Sequence, residues 1–153
     1  MRPCAREWYT SGEDSDEPRD RGETVDDARY RAGLATARNL DPEGPERLEA
    51  ALKDVAPDLY RHIVEFAFGD ILSRPGLDPK TREIATVAAL AALGNAQPQL
   101  RFHLNAALNV GWSRAELAEV LMQMAVYAGI PAALNALYLA KEVFAERDAT
   151  GRS

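Results

Sequence analysis

Apolar side chains recur through the body of this chain at the three- and four-residue spacing of helices, and no segment alternates with period two. Tyr30, Leu34 and Ala37 share one stripe running to Leu40, behind a T-x-x-D start at Thr24, and DPEGPE closes it. Leu48, Leu52 and Val55 predict a short helix that Pro57 interrupts; Leu59, Ile63, Phe66 and Phe68 carry the pattern on to Leu72. SRPGLDPK is the main break. Asp78 then caps a helix with Pro79 at its first position, and Ile84, Val87, Ala88, Ala91 and Ala92 lead to a stop at Gly94. Another helix begins near Pro98. Ser113 and Glu116 form a capping box for a helix ending at Gly129, and Pro131 starts a last helix that runs to about Arg147. The pattern predicts an all-α domain of six or seven helices with short connections.

Composition narrows the picture. With 153 residues and 46% apolar content, the chain is long enough for one compact domain with a sizeable core. The net charge of −6 disfavours a phosphate backbone, so no nucleic-acid partner is expected. Much of that charge lies in residues 1–27, which are read as an acidic solvated tail; an arm docking through Trp8 and Tyr9 is the alternative. The helical domain is placed at 28–148, with a short C-terminal tail over 149–153. Cys4, the single cysteine, excludes an intramolecular disulfide and a CxxC pair and fits a reducing compartment. No apolar run reaches membrane-spanning length and the opening MRPCAREWYT is unlike a signal peptide, so the expected location is the cytoplasm, without a membrane partner. The helices between Asp78 and Arg147 are rich in alanine, and a segment such as TVAALAALG is apolar around most of its circumference. Cover on several sides is needed, which favours a homo-oligomer with the last helices near its interface over a monomer with a thin core.

Candidate chemistry is sparse. His103 lies beside the buried stripe marked by Leu100, Leu104 and Ala107, where a neutral imidazole can meet a pocket or be a satisfied core residue. His62 in YRHIVEF has no companion, so a surface or packing role is favoured. No HxxxH, ExxH, GxGxxG or GxxxxGK occurs; neither a metal nor a nucleotide cofactor is expected. Glu83 and Arg82 open an apolar helix, where electrostatic capping would account for the pair. Arg74 and Arg101 are further candidates, the latter for a carboxylate ligand or for water.

GDILSRPGL, TREIATVAALAALG, LRFHLNAALNVGWSRAELAEVL and YAGIPAALNALYLAKEVF together resemble the successive blocks of the carboxymuconolactone decarboxylase family, from residue 29 to Phe144. The resemblance implies the helical alkylhydroperoxidase D-like fold, a trimer or hexamer, and cofactor-independent decarboxylation of 4-carboxymuconolactone to 3-oxoadipate enol-lactone. Related alkylhydroperoxidases carry a CxxC pair before the matching histidine, whereas this chain reads NAQPQLRFH, which excludes thiol peroxidase chemistry. The family motif LRxHLxAAxNxG falls on His103, implying a proton donor or a donor to the lactone oxygen. The remaining implied roles are a carboxylate clamp at Arg101 or Arg74 and an orienting or relaying carboxylate at Glu83 or Asp70. Arg82 and Tyr138 complete the expected substrate-binding set. Asn95 to Pro98, Leu134 and Tyr138 depart from the common family pattern towards a more apolar pocket. This keeps open a relative recruited to natural-product biosynthesis, acting on a larger lactone, polyketide or aromatic intermediate, or a non-catalytic oligomer that binds a small ligand.

Overall fold

The structure, a computed structural model, describes residues 25–152. Thr24, Cys4, Trp8, Tyr9 and nearly all of the acidic segment lie outside the described residues. Within them the chain forms α1 (Val25–Leu40), α2 (Gly44–Leu52), α3 (Pro57–His62), a π-helix (Ile63–Leu72), α4 (Pro79–Leu93), α5 (Gln97–Asn109), α6 (Arg114–Tyr127) and α7 (Ile130–Ala149). The expected all-α class holds, with no strand among the described residues. None of these helices is long and apolar enough to cross a membrane.

The sequence punctuation acts as chemistry predicts. Asp78 accepts from the Thr81 N–H at 2.9 Å and the Thr81 hydroxyl at 2.7 Å, satisfying a backbone donor that the first turn of α4 leaves open. These hydrogen bonds hold its carboxyl below the usual value of 3.8. A depressed acid stabilises the fold when ionised, so this contribution is complete above the unfolded value and disappears as pH falls through the lowered one. Asp78→Asn is expected to flatten the stability loss below about pH 4 relative to wild type, measured as Tm against pH. Gly94 ends α4 at φ 71°, in the left-handed region that favours glycine. Ser113 and Glu116 form the expected reciprocal capping box at the start of α6.

The segment after Pro57 differs from the expected continuous α-helix. α2 stops at Leu52 and Val55 lies in an exposed turn. From Ile63 the backbone widens to i→i+5 bonding, as in the Ser73 N–H donating to the Phe68 carbonyl at 3.0 Å. The buried side chains become Tyr60, Val64 and Phe68, while Leu59 and Phe66 point outward. Period 3.6 had placed Phe66 and Leu59 on the apolar stripe; the wider turn carries Phe66 off it, while Leu59 is exposed in α3, ahead of the π-helix. α1 lies directly on this π-helix. A Cβ built on Gly33 would stand 2.0 Å from the Val64 carbonyl oxygen, and one on Gly69 2.7 Å from that of Arg29, so two glycines permit the approach.

Packing puts α5 at the centre. Leu100, Leu104 and Ala107 join Val87, Ala91, Leu117, Leu121, Met124, Ala136, Leu139, Ala140 and Val143 in the main core. Ala106 on another side of α5 packs with Ala37, Leu40 and Phe68 from α1 and the π-helix, with Phe102 and Val110 alongside. Around the ends of α4, α6 and α7, apolar Leu93, Val126, Tyr127 and Ile130 stay exposed.

Candidate active site

His103 sits in α5 where its two packing faces meet. Its Nδ1 lies 2.8 Å from Oε2 of Glu83, which α4 supplies from the facing turn. Glu83 has no exposed surface, and its other oxygen, Oε1, is buried without a hydrogen-bond partner among the described residues. A carboxylate accepts only, so an ionised Glu83 fixes the proton of the neutral ring on Nδ1 and leaves Nε2 for other chemistry. Phe102 stands edge-on to the imidazole with ring centroids 4.9 Å apart, restricting its rotation.

The ring borders a cavity of about 370 Å³. Ile63, Val64 and Phe68 of the π-helix form one wall, Pro98, Gln99 and Phe102 of α5 another, and Pro45, Arg47 and Leu48 of α2 close it. The lining is mostly apolar, with His103, Gln99 and Arg47 as its polar side chains. A concave apolar site with a few converging polar groups is the usual form of a small-molecule site. The irregular π-turn thus contributes directly to the wall facing the histidine.

Of the expected site residues, the structure brings together His103 and Glu83. Asp70 receives two hydrogen bonds from Arg29, at 2.9 and 2.6 Å, which hold its carboxyl below the usual range, and it does not border the cavity. The first helix therefore accounts for Asp70, and of the two expected carboxylates the one beside the imidazole is Glu83. Arg82 donates to the carbonyls of Leu77 and Arg74 at 3.2 and 2.7 Å, fastening the loop before α4. Arg74 is exposed in that loop. Arg101 pairs with Glu142 and, at 2.6 Å, with Glu146 of α7. Together with Tyr138 it lines a separate open depression, beyond Pro98 from the histidine. None of these four side chains borders the cavity of His103. His62 is exposed, as expected of a surface residue.

Arg47 and Gln99 were not legible as site residues. Arg47 follows a Pro-Glu pair in a short helix, surrounded in sequence by acids that read as ordinary surface charge, and no motif marks it. Among the described residues no group of three or more histidine, cysteine or acidic side chains gathers as a metal would require.

Residues 57–142 match the model of the carboxymuconolactone decarboxylase family. The chain is 39% identical over 120 residues to a 4-carboxymuconolactone decarboxylase of Acinetobacter baylyi, covering 78% of this chain and 89% of that one. It is 36% identical over 118 residues to an uncharacterized 15.0 kDa protein of Paracoccus denitrificans, covering 76% and 88%. To a nitrosuccinic acid decarboxylase of Metarhizium robertsii it is 31% identical over 105 residues, covering 67% and 73%.

Proposed function

This chain belongs to the carboxymuconolactone decarboxylase family of carboxy-lyases, and we propose that it converts 4-carboxymuconolactone to 3-oxoadipate enol-lactone without a cofactor. The observation that carries this reading is the imidazole of His103, backed by the buried Glu83, on the wall of a small apolar cavity.

The substrate supplies its own electron sink. As the ring-bound carboxylate leaves as carbon dioxide, the electron pair of the breaking C–C bond moves through the adjacent double bond into the lactone carbonyl, giving a dienolate. A proton delivered to the ring carbon next to that carbonyl restores the lactone, so one proton is consumed for each carbon dioxide released. His103 in its imidazolium form is the donor: Nδ1–H stays with Glu83 while Nε2–H first hydrogen-bonds the lactone oxygen and then gives up its proton, leaving the neutral ring for solvent to reprotonate at Nε2. Glu83 is a positioning residue that holds Nδ1 and aims the ring. At about 370 Å³ the cavity is near the lower end of ligand pockets, which supports a compact lactone over a polyketide-sized one.

Purified protein mixed with freshly generated 4-carboxymuconolactone is expected to release carbon dioxide with proton uptake. If it instead releases none, and turns over nitrosuccinic acid or another small carboxylate, the assignment of substrate is wrong while the dyad chemistry stands. The active form in this reading is a homo-oligomer, supported by the exposed apolar side chains at Leu93, Val126, Tyr127 and Ile130. Sedimentation at assay concentration as a single monomeric species would overturn that part.

A further inference from the structure

Given that decarboxylation takes place beside His103 as proposed above, we infer that Arg47 recognises the carboxylate that the substrate keeps. Arg47 is the cationic side chain among the described residues that lines the His103 cavity, whereas Arg101 and Arg82 are committed to glutamates and carbonyls elsewhere. Its placement is fixed by the start of α2. Gly44 and Pro45 are buried, and a Cβ added to Gly44 would stand 3.1 Å from Phe102 Cε2, so this turn lies directly on the helix that carries the histidine.

The two acidic partners of Arg47 are unequal. Asp41, largely buried, pairs with Nη2 and also accepts from the Glu43 N–H at 3.2 Å, so it is itself held in place. Glu43, with a side chain 86% exposed, reaches Nη1 at 3.3 Å. That is long for a charge-assisted hydrogen bond, and an exposed i,i+4 pair of this kind holds its partners only weakly. A carboxylate entering the cavity can replace Glu43 on Nη1 while Asp41 keeps the guanidinium oriented. On its other side Arg47 borders a polar depression shared with Asn39, Asp41, Glu43, Asn109, Arg147 and Arg152, so it stands between a basin of mixed charge and the apolar cavity.

The chemistry decides which carboxylate it holds. A cation clamped on the leaving carboxylate would favour the ground state, because that charge moves into the ring as the bond breaks. The acetate side chain keeps its charge throughout, so Arg47 binds it equally in substrate and transition state. The leaving carboxylate then faces Ile63, Val64, Phe68 and Phe102, an apolar wall that solvates a localised charge poorly.

Loss of this uniform binding raises KM and spares kcat. Arg47→Gln is expected to raise KM by about tenfold or more with kcat within about twofold, Arg47→Lys to recover part of the loss, and Glu43→Gln to lower KM. Calorimetry with the butenolide acetate that lacks the leaving carboxylate separates recognition from turnover. Wild type is expected to bind it, Arg47→Gln to bind about tenfold more weakly, and Glu43→Gln more tightly. That pattern in a protein that releases no carbon dioxide would uphold Arg47 as the carboxylate receptor while refuting the proposed reaction. No binding by wild type, or Arg47→Gln with wild-type affinity or wild-type KM, overturns the assignment. So does a weaker affinity in Glu43→Gln, which would mark the pair as merely structural.

Discussion

His103→Ala is expected to lower kcat for carbon dioxide release by about 10³-fold and to lower Tm as well. General acid catalysis by a positioned side chain contributes about 10²- to 10⁴-fold, and a prealigned donor to developing negative charge contributes on a similar scale. In the cavity beside α5 one Nε2–H serves both duties, so the two contributions overlap rather than multiply. The imidazole is partly accessible and its partner Glu83 is fully buried, which sets a control. Removing the ring leaves the Glu83 carboxylate in the core with neither oxygen paired, a source of instability distinct from lost chemistry. The double variant His103→Ala with Glu83→Gln removes that buried charge. It should recover any lost Tm and remain as inactive as the single variant. Glu83→Gln alone keeps a hydrogen-bonding group of the same length. Its amide oxygen can still accept from Nδ1–H but carries no charge to match an imidazolium, so kcat should fall by a smaller factor, about tenfold to a hundredfold, with KM little changed. His103→Ala with wild-type turnover would remove the dyad from the reaction.

Gly33→Ala should produce the largest loss of stability of any single methyl addition in the described chain. The new Cβ would stand 2.0 Å from the carbonyl oxygen of Val64, a backbone atom with no side-chain freedom to yield. Overpacking of this kind costs about 1–3 kcal/mol and occasionally more. At this chain length a loss of about 3 kcal/mol lowers Tm by roughly 10 °C. Gly76→Ala is the comparison, since a Cβ there meets nothing within 4 Å, and its Tm should lie within about 2 °C of wild type. The effect should also reach function. Val64 lines the cavity, so separating α1 from the π-helix moves the wall opposite the imidazole. At a temperature where Gly33→Ala remains folded, KM is expected to rise several-fold. A Tm equal to that of Gly76→Ala would mean that α1 does not lie on the π-helix as described.

Much of this molecule was legible in one dimension. Asp78 with Pro79, Gly94, and Ser113 with Glu116 each solve a local backbone problem within a few residues, so their roles are visible wherever the chain goes afterwards. The alternation of leucine and alanine along α5 likewise placed His103 at the edge of a buried stripe, because helical periodicity is a property of the segment itself. The ordered blocks from GDILSRPGL to YAGIPAALNALYLAKEVF fixed the family. Three things depended on the folded chain. The π-helix arises where α1 presses against Val64 and Gly69, a contact between segments about thirty or forty residues apart that leaves no periodic trace. Glu83 at the start of an apolar helix has the same local sequence whether it caps the helix or lies buried against an imidazole twenty positions on; only packing of α4 on α5 separates the two. The arginines show the same limit. Arg47, Arg74, Arg82 and Arg101 are equal as sequence, since a guanidinium reaches far and takes any oxygen in range, and tertiary structure alone gave Arg101 its glutamates, Arg82 its carbonyls and Arg47 the cavity.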